Sequence, residues 1–154
     1  MSLTQWQANG WLKPHVPTVQ AIANQFALAA RDLRDCKAKG LSDDWKFNIA
    51  YNAALQLANA ALNAAGFEVG KGESGHFRAI HSLEFTIGVA PAEVRQLDGF
   101  RKRRSQSVYD AAGVVSPTEV KEMIQLAAAM LPRVGNWIRS NHPSLAKAIH
   151  SAPP

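Results

Sequence analysis

Cysteine occurs once, at Cys36, so no disulfide can form within the chain and a reducing compartment is expected. Cys36 itself is read as a small apolar or surface residue on a helix. Long apolar runs are missing as well: no stretch approaches the roughly 20 residues that a membrane-spanning helix requires. Met1 to Gln20 mixes Trp, Asn, Lys, His and Pro where a signal peptide would place a basic segment followed by an apolar one. The expected location is the cytoplasm, with no membrane partner. Interdomain linkers, internal repeats and low-complexity blocks are absent, so the 154 residues are read as a single domain, 1–154. No P-loop, dinucleotide fingerprint, Ser-His-Asp constellation or cysteine cluster occurs, which disfavours metal and nucleophilic-serine enzymes. No cofactor is expected.

What is present is ordinary globular composition, 47% apolar and 19% charged, rich in alanine and without strand-like alternation. The chain reads as all-α. A short amphipathic piece, Leu3 to Leu12, carries Trp6 and Trp11. A long helix is expected from about Pro17 to Gly40, with a stripe through Val19, Ile22, Phe26, Ala29 and Leu33. Ser42-Asp43-Asp44 opens a second long helix with a cap and favourable negative charge, which carries Trp45, Phe47, Ala50, Ala53 and Leu57 and reaches Gly66. Four glycines within Gly66–Gly75 mark a loop. Further helices are expected from His76 to Thr86, from Pro91 to about Asp110, and from the capping box at Ser116-Pro117-Thr118-Glu119 to about Ser140, the last with a kink at Pro132. A tail helix, Ser144 to His150, completes an up-and-down bundle of about five helices with short N- and C-terminal helices.

The net charge of +5 and pI near 9.7 suit an anionic partner. The focus of that charge tells more than its total: Arg101-Lys102-Arg103-Arg104 are four adjacent cations, followed by Ser105-Gln106-Ser107-Val108-Tyr109-Asp110. Either this is a phosphate-facing surface, or acidic groups neutralise part of it. Helical spacing from Val94, Leu97 and Phe100 brings Arg104 onto the apolar stripe, where a cation must be paired or reach outward along its stem. One reading is a structural ion pair with Glu84, Glu93 or Asp110. The other is a guanidinium held at a cleft mouth to grip phosphate, which its planar fork suits. Tyr109 lies about 140° around an ideal helix from Arg104, so the two meet only if the helix end distorts or two chains share the site. His76 and His81, five apart on one short helix, lack the i, i+4 spacing of a helical zinc pair. His15, His142 and His150 read as loop and tail residues.

Between Trp45 and Trp137 the chain resembles the HEPN superfamily. The resemblance rests on Tyr51-Asn52-Ala53-Ala54-Leu55-Gln56-Leu57, Ala65-Gly66-Phe67, Gly75-His76-Phe77-Arg78-Ala79-Ile80, and Phe100-Arg101-Lys102-Arg103-Arg104 followed by Tyr109-Asp110, in that order. It implies a helical bundle linked to nucleotide binding or metal-independent RNA cleavage. It also implies a homodimer whose cleft joins the two motifs, and a cognate antitoxin or nucleotidyltransferase-like partner. The family's motif is an arginine followed after four to six residues by histidine. Here Arg104-Ser105 match its beginning and Tyr109 stands where the histidine is expected. A tyrosine with its usual pKa of about 10 is a poor base at neutral pH.

Two functional expectations follow. In the first, Arg104 and Tyr109 form the centre of a ribonuclease or toxin. Arg101, Lys102, Arg103, Ser105 and Asp110 would bind RNA or nucleotide, and His76 or His81 would be accessory. In the second, the same helix binds nucleotide, RNA or a protein without chemistry. A third possibility is a structural bundle whose basic helix is solvated or paired with acids.

Overall fold

The computed structural model describes residues 1–72, 74–107 and 112–149. Among them the chain is an all-α helical bundle carrying one small antiparallel ribbon. The elements are α1 (Leu3–Ala8), β1 (Leu12–Pro14), α2 (Val19–Asp35), α3 (Asp43–Ala64), β2 (Phe67–Val69), α4 (Gly75–Ser82), α5 (Pro91–Ser105), α6 (Pro117–Asn141) and a 3₁₀ turn (Pro143–Ala148). No helix among the described residues is long and apolar enough to cross a membrane.

The starts of the long helices follow directly from the sequence. Ser42 Oγ accepts the Trp45 amide, with Asp43 and Asp44 in the first turn. Ser116 and Glu119 exchange both bonds of a capping box, with Pro117 in the first turn. Thr18 caps α2, so Pro17 sits outside the helix rather than opening it. Several ends come earlier than expected: α2 stops at Asp35, α4 at Ser82, and α3 at Ala64 before Gly66 turns the chain with φ +96. α6 is continuous through Pro132. Ser116→Ala is expected to lower stability by about 1 kcal/mol, the usual worth of an N-cap, and urea unfolding with an unchanged m-value would show it.

α3 is the axis of the bundle. Phe47, Ala50, Tyr51, Ala53, Ala54, Leu57, Ala58, Ala60 and Ala61 are all buried, and the small side chains let α2 and α6 approach closely on either side. Trp45, which is 62% exposed, stands two residues from the fully buried Phe47, about 200° around the helix. A second cluster joins Trp6, Leu12 and Leu62 to Trp11, Phe67 and Phe85.

The ribbon corrects two expectations. The first helix ends at Ala8 because Gly10 adopts φ +79, and Leu12 then pairs with Val69 and Pro14 with Phe67. The glycine-rich segment is accordingly part strand, since Phe67–Val69 leaves the loop to join β1. Gly70 is packed so closely that an added Cβ would stand 3.0 Å from the Gly10 carbonyl oxygen. This clasp fixes the start of α4, which packs against α3 and α5 and so brings the histidines to the basic helix.

Candidate functional site

α5 begins at Pro91, with Glu93 in its first turn and cations in its last, the arrangement that complements a helix dipole. Val94, Leu97 and Phe100 are buried as the stripe predicts, and Phe100 packs edge-on against Phe47 at 5.6 Å. Residues 106–107 continue in π-type winding, a feature that often marks functional sites. Tyr109 and Asp110 lie outside the described residues.

The four adjacent cations have different fates. Arg101 Nε donates to Asp98 Oδ1 at 2.7 Å, and Lys102 Nζ stands 3.6 Å from Asp98 Oδ2. Arg103 turns to the other side, donating to Glu119 at 2.8 Å and to Gln106 at 3.2 Å, and so ties α5 to the α6 capping box. Lys102 and Arg103 also line a shallow groove of about 370 Å³ with Gln96, Gly99, Phe100, Gln106 and Glu119. Arg104 has no acidic partner among the described residues. Glu93, one of its candidate partners, is taken by Arg133. The Arg104 Nε is buried without a hydrogen bond, and the guanidinium carbon lies 5.6 Å from the centre of the Tyr51 ring, within cation–π range. Ser105 is exposed.

Tyr51 links Arg104 to α4. Its side chain is buried, and its hydroxyl lies 3.3 Å from His76 Nδ1, with the rings 6.0 Å apart. Burial pushes the Tyr51 phenol up to about 12 against the opposing pull of Arg104 and Arg101, so it stays protonated at neutral pH. His76 is pushed below the usual imidazole range by burial and by the same two guanidinium groups, which keeps it neutral. His81 takes a different position: its ring stacks on Phe77 at 4.0 Å, and Nε2 lies 3.8 Å from Asp98 Oδ1. Arg101 also covers Phe77, at 5.5 Å. Asp98 opposes its own burial: the Arg101 hydrogen bond and the charges of Arg101, His81 and Lys102 hold its carboxyl below the ordinary range.

The arrangement thus gathers Arg101, Lys102, Arg104, His76 and His81 on the α4–α5 face and sends Arg103 to α6. Sequence reasoning missed two members, Tyr51 and Asp98. Asp98 precedes Arg101 and Lys102 by three and four residues, the spacing of helical ion pairs, and that spacing was the available signal. Tyr51 had only its place in an alanine-rich helix to mark it. Chemically, the face offers an unpaired fork donor, a neutral imidazole and a phenol fixed in its protonated form. Among the described residues, no group of three or more His, Cys, Asp or Glu side chains could hold a metal ion. No protein-family model matches the chain, and no curated protein matches it.

Proposed function

We propose that the chain is a HEPN-like domain that takes RNA on its α4–α5 face and cleaves it without a metal, as the toxin of a toxin–antitoxin or defence system. The observation that carries this reading is Arg104, a half-buried guanidinium with no acidic partner among the described residues and a buried Nε without a hydrogen bond. Desolvating a cation without pairing it is costly to folding, and a phosphate would supply the missing partner. In this role Arg104 stabilises charge developing on the phosphate. Arg101 and Lys102, tethered by Asp98, add RNA affinity, and Tyr109 assists positioning. A homodimer in the cytoplasm would join two such faces across a shared cleft, and a cognate antitoxin would cover it.

A second reading, a non-catalytic module that binds nucleotide, RNA or a partner protein, is favoured by the Tyr51–His76 pair. A phenol pushed up to about 12 is no base at neutral pH, and the imidazole spends one nitrogen on it.

Titrating a single-stranded RNA against salt tests what both readings share. Binding is expected to weaken steeply as salt rises, and Arg104→Ala is expected to flatten the log–log slope by about 0.7, the loss of one phosphate contact on a single strand. Binding insensitive to salt and to Arg104 would contradict the assignment of this face.

A further inference from the structure

Arg104 and His76 come from different helices yet both rest against Tyr51. The one hydrogen-bond partner of the Tyr51 hydroxyl among the described residues is His76 Nδ1. If Nδ1 carried the proton, the phenolic hydrogen would be left without an acceptor beside a buried ring. The network therefore assigns the hydroxyl as donor and Nδ1 as acceptor, which places the proton of the neutral imidazole on Nε2. His76 is then a hydrogen-bond donor at Nε2, next to a guanidinium that has no acidic partner among the described residues.

The charge count narrows the ligand. Arg101 and Lys102 share the one carboxylate of Asp98, and Arg104 has none among the described residues. Counting Arg101, Lys102, Arg104 and Asp98, the cluster keeps two positive charges. A phosphodiester brings one negative charge, whereas a phosphate monoester brings close to two above its second pKa of about 6. We propose that Arg104 and His76 together grip a terminal phosphate monoester, carried by an RNA end or a mononucleotide. This rests on the reading of the α4–α5 face as a phosphate site and adds the class of phosphate that it selects.

A proton accompanies the ligand. Among the described residues, the charged and titratable groups set against His76 are Tyr51 from α3 and Arg101 and Arg104 from α5. From β2, Glu68 is occupied by Lys13 and His15. On α4 itself, Arg78 lies over Trp11 and His81 faces Asp98. Burial first, and the two guanidinium groups after it, keep His76 neutral. A dianion set against those groups cancels their part and draws a proton to Nδ1, where the Tyr51 hydroxyl turns from donor to acceptor, a cost that the ligand's second charge offsets.

Calorimetric titration of the full chain at about pH 7.5, where the monoester is dianionic, tests this. The ligands are adenosine monophosphate and one short single-stranded RNA in three forms: 5′-phosphate, 3′-phosphate, and hydroxyl at both ends. Each is run in two buffers of different ionisation enthalpy, so that proton uptake is read directly. A phosphorylated end is expected to bind about tenfold tighter than the hydroxyl-ended RNA, the worth of a charged hydrogen bond, and to take up a fraction of a proton. Arg104→Ala should erase the preference. His76→Gln, which retains an N–H donor but cannot titrate, should keep most of the preference and lose the uptake. Adenosine monophosphate matching the phosphorylated RNA would identify a free nucleotide as sufficient, and tighter binding of the RNA would identify its end; either supports the proposal. Equal binding of the three RNA forms would overturn it and leave the RNA reading standing. Unchanged uptake in His76→Gln would remove His76 from the site. No binding of any form would overturn both.

Discussion

Arg104→Ala is expected to lower RNA cleavage by at least about a hundredfold, the usual cost of removing one donor aimed at developing charge, and to leave the thermal midpoint within a few degrees of the wild type. The two halves of this expectation share one cause. Arg104 makes no ion pair among the described residues, its Nε is buried without a partner, and it neighbours Arg101, Lys102 and Arg103. Its removal relieves desolvation and like-charge repulsion. The opposing loss is the contact with the Tyr51 ring, worth about 0.5–1 kcal/mol at such sites. A side chain whose deletion costs function and not stability is one that folding did not require. Arg103→Ala should behave in the opposite way, loosening the α5–α6 junction through Glu119 by about 0.5 kcal/mol while retaining most activity. Cleavage rates and melting curves on the two variants separate the roles.

The second large effect falls on stability. Asp98→Ala is expected to destabilise the fold by about 2 kcal/mol, below the roughly 3–5 kcal/mol of a fully buried pair because Arg101 and Lys102 retain access to water. Asp98 is 8% exposed and carries Arg101 at 2.7 Å, Lys102 at 3.6 Å and His81 at 3.8 Å. Without the carboxylate Arg101 and Lys102 repel one another beside the α4–α5 packing. The pH dependence has a definite sign. The folded carboxyl is held below its ordinary value, so its contribution is complete above the unfolded pKa of about 3.9 and is lost as pH falls through the folded one. Asp98→Asn should remove that part of the acid sensitivity. Urea unfolding of both variants between neutral and acid pH measures it.

Much of the bundle was legible because its signals are local. Ser42 and Ser116 announce helix starts by chemistry confined to three or four residues, and the α5 stripe through Val94, Leu97 and Phe100 follows from helical period alone. The same period placed Arg104 against the core, where it sits. The ribbon was not legible: Leu12–Pro14 and Phe67–Val69 are too short to show alternation, and their pairing joins segments more than 50 residues apart. At the site, the cations were evident and their partners were not. Adjacent charges look equivalent in a sequence; the fold distributes them to Asp98, to Glu119 and to Tyr51. That Tyr51 joins Arg104 to His76 depends on how α4 packs against α3 and α5, a tertiary fact with no local signature.

The most direct test of the central claim is RNA cleavage by the purified full chain with EDTA present, comparing the wild type with Arg104→Ala and Tyr109→Phe. The account predicts cutting by the wild type and its loss in Arg104→Ala, with Tyr109→Phe reporting whether that hydroxyl takes part. Cutting that persists in Arg104→Ala would contradict the assignment of the site. Intact RNA that the wild type nevertheless binds would contradict the ribonuclease and leave the binding module.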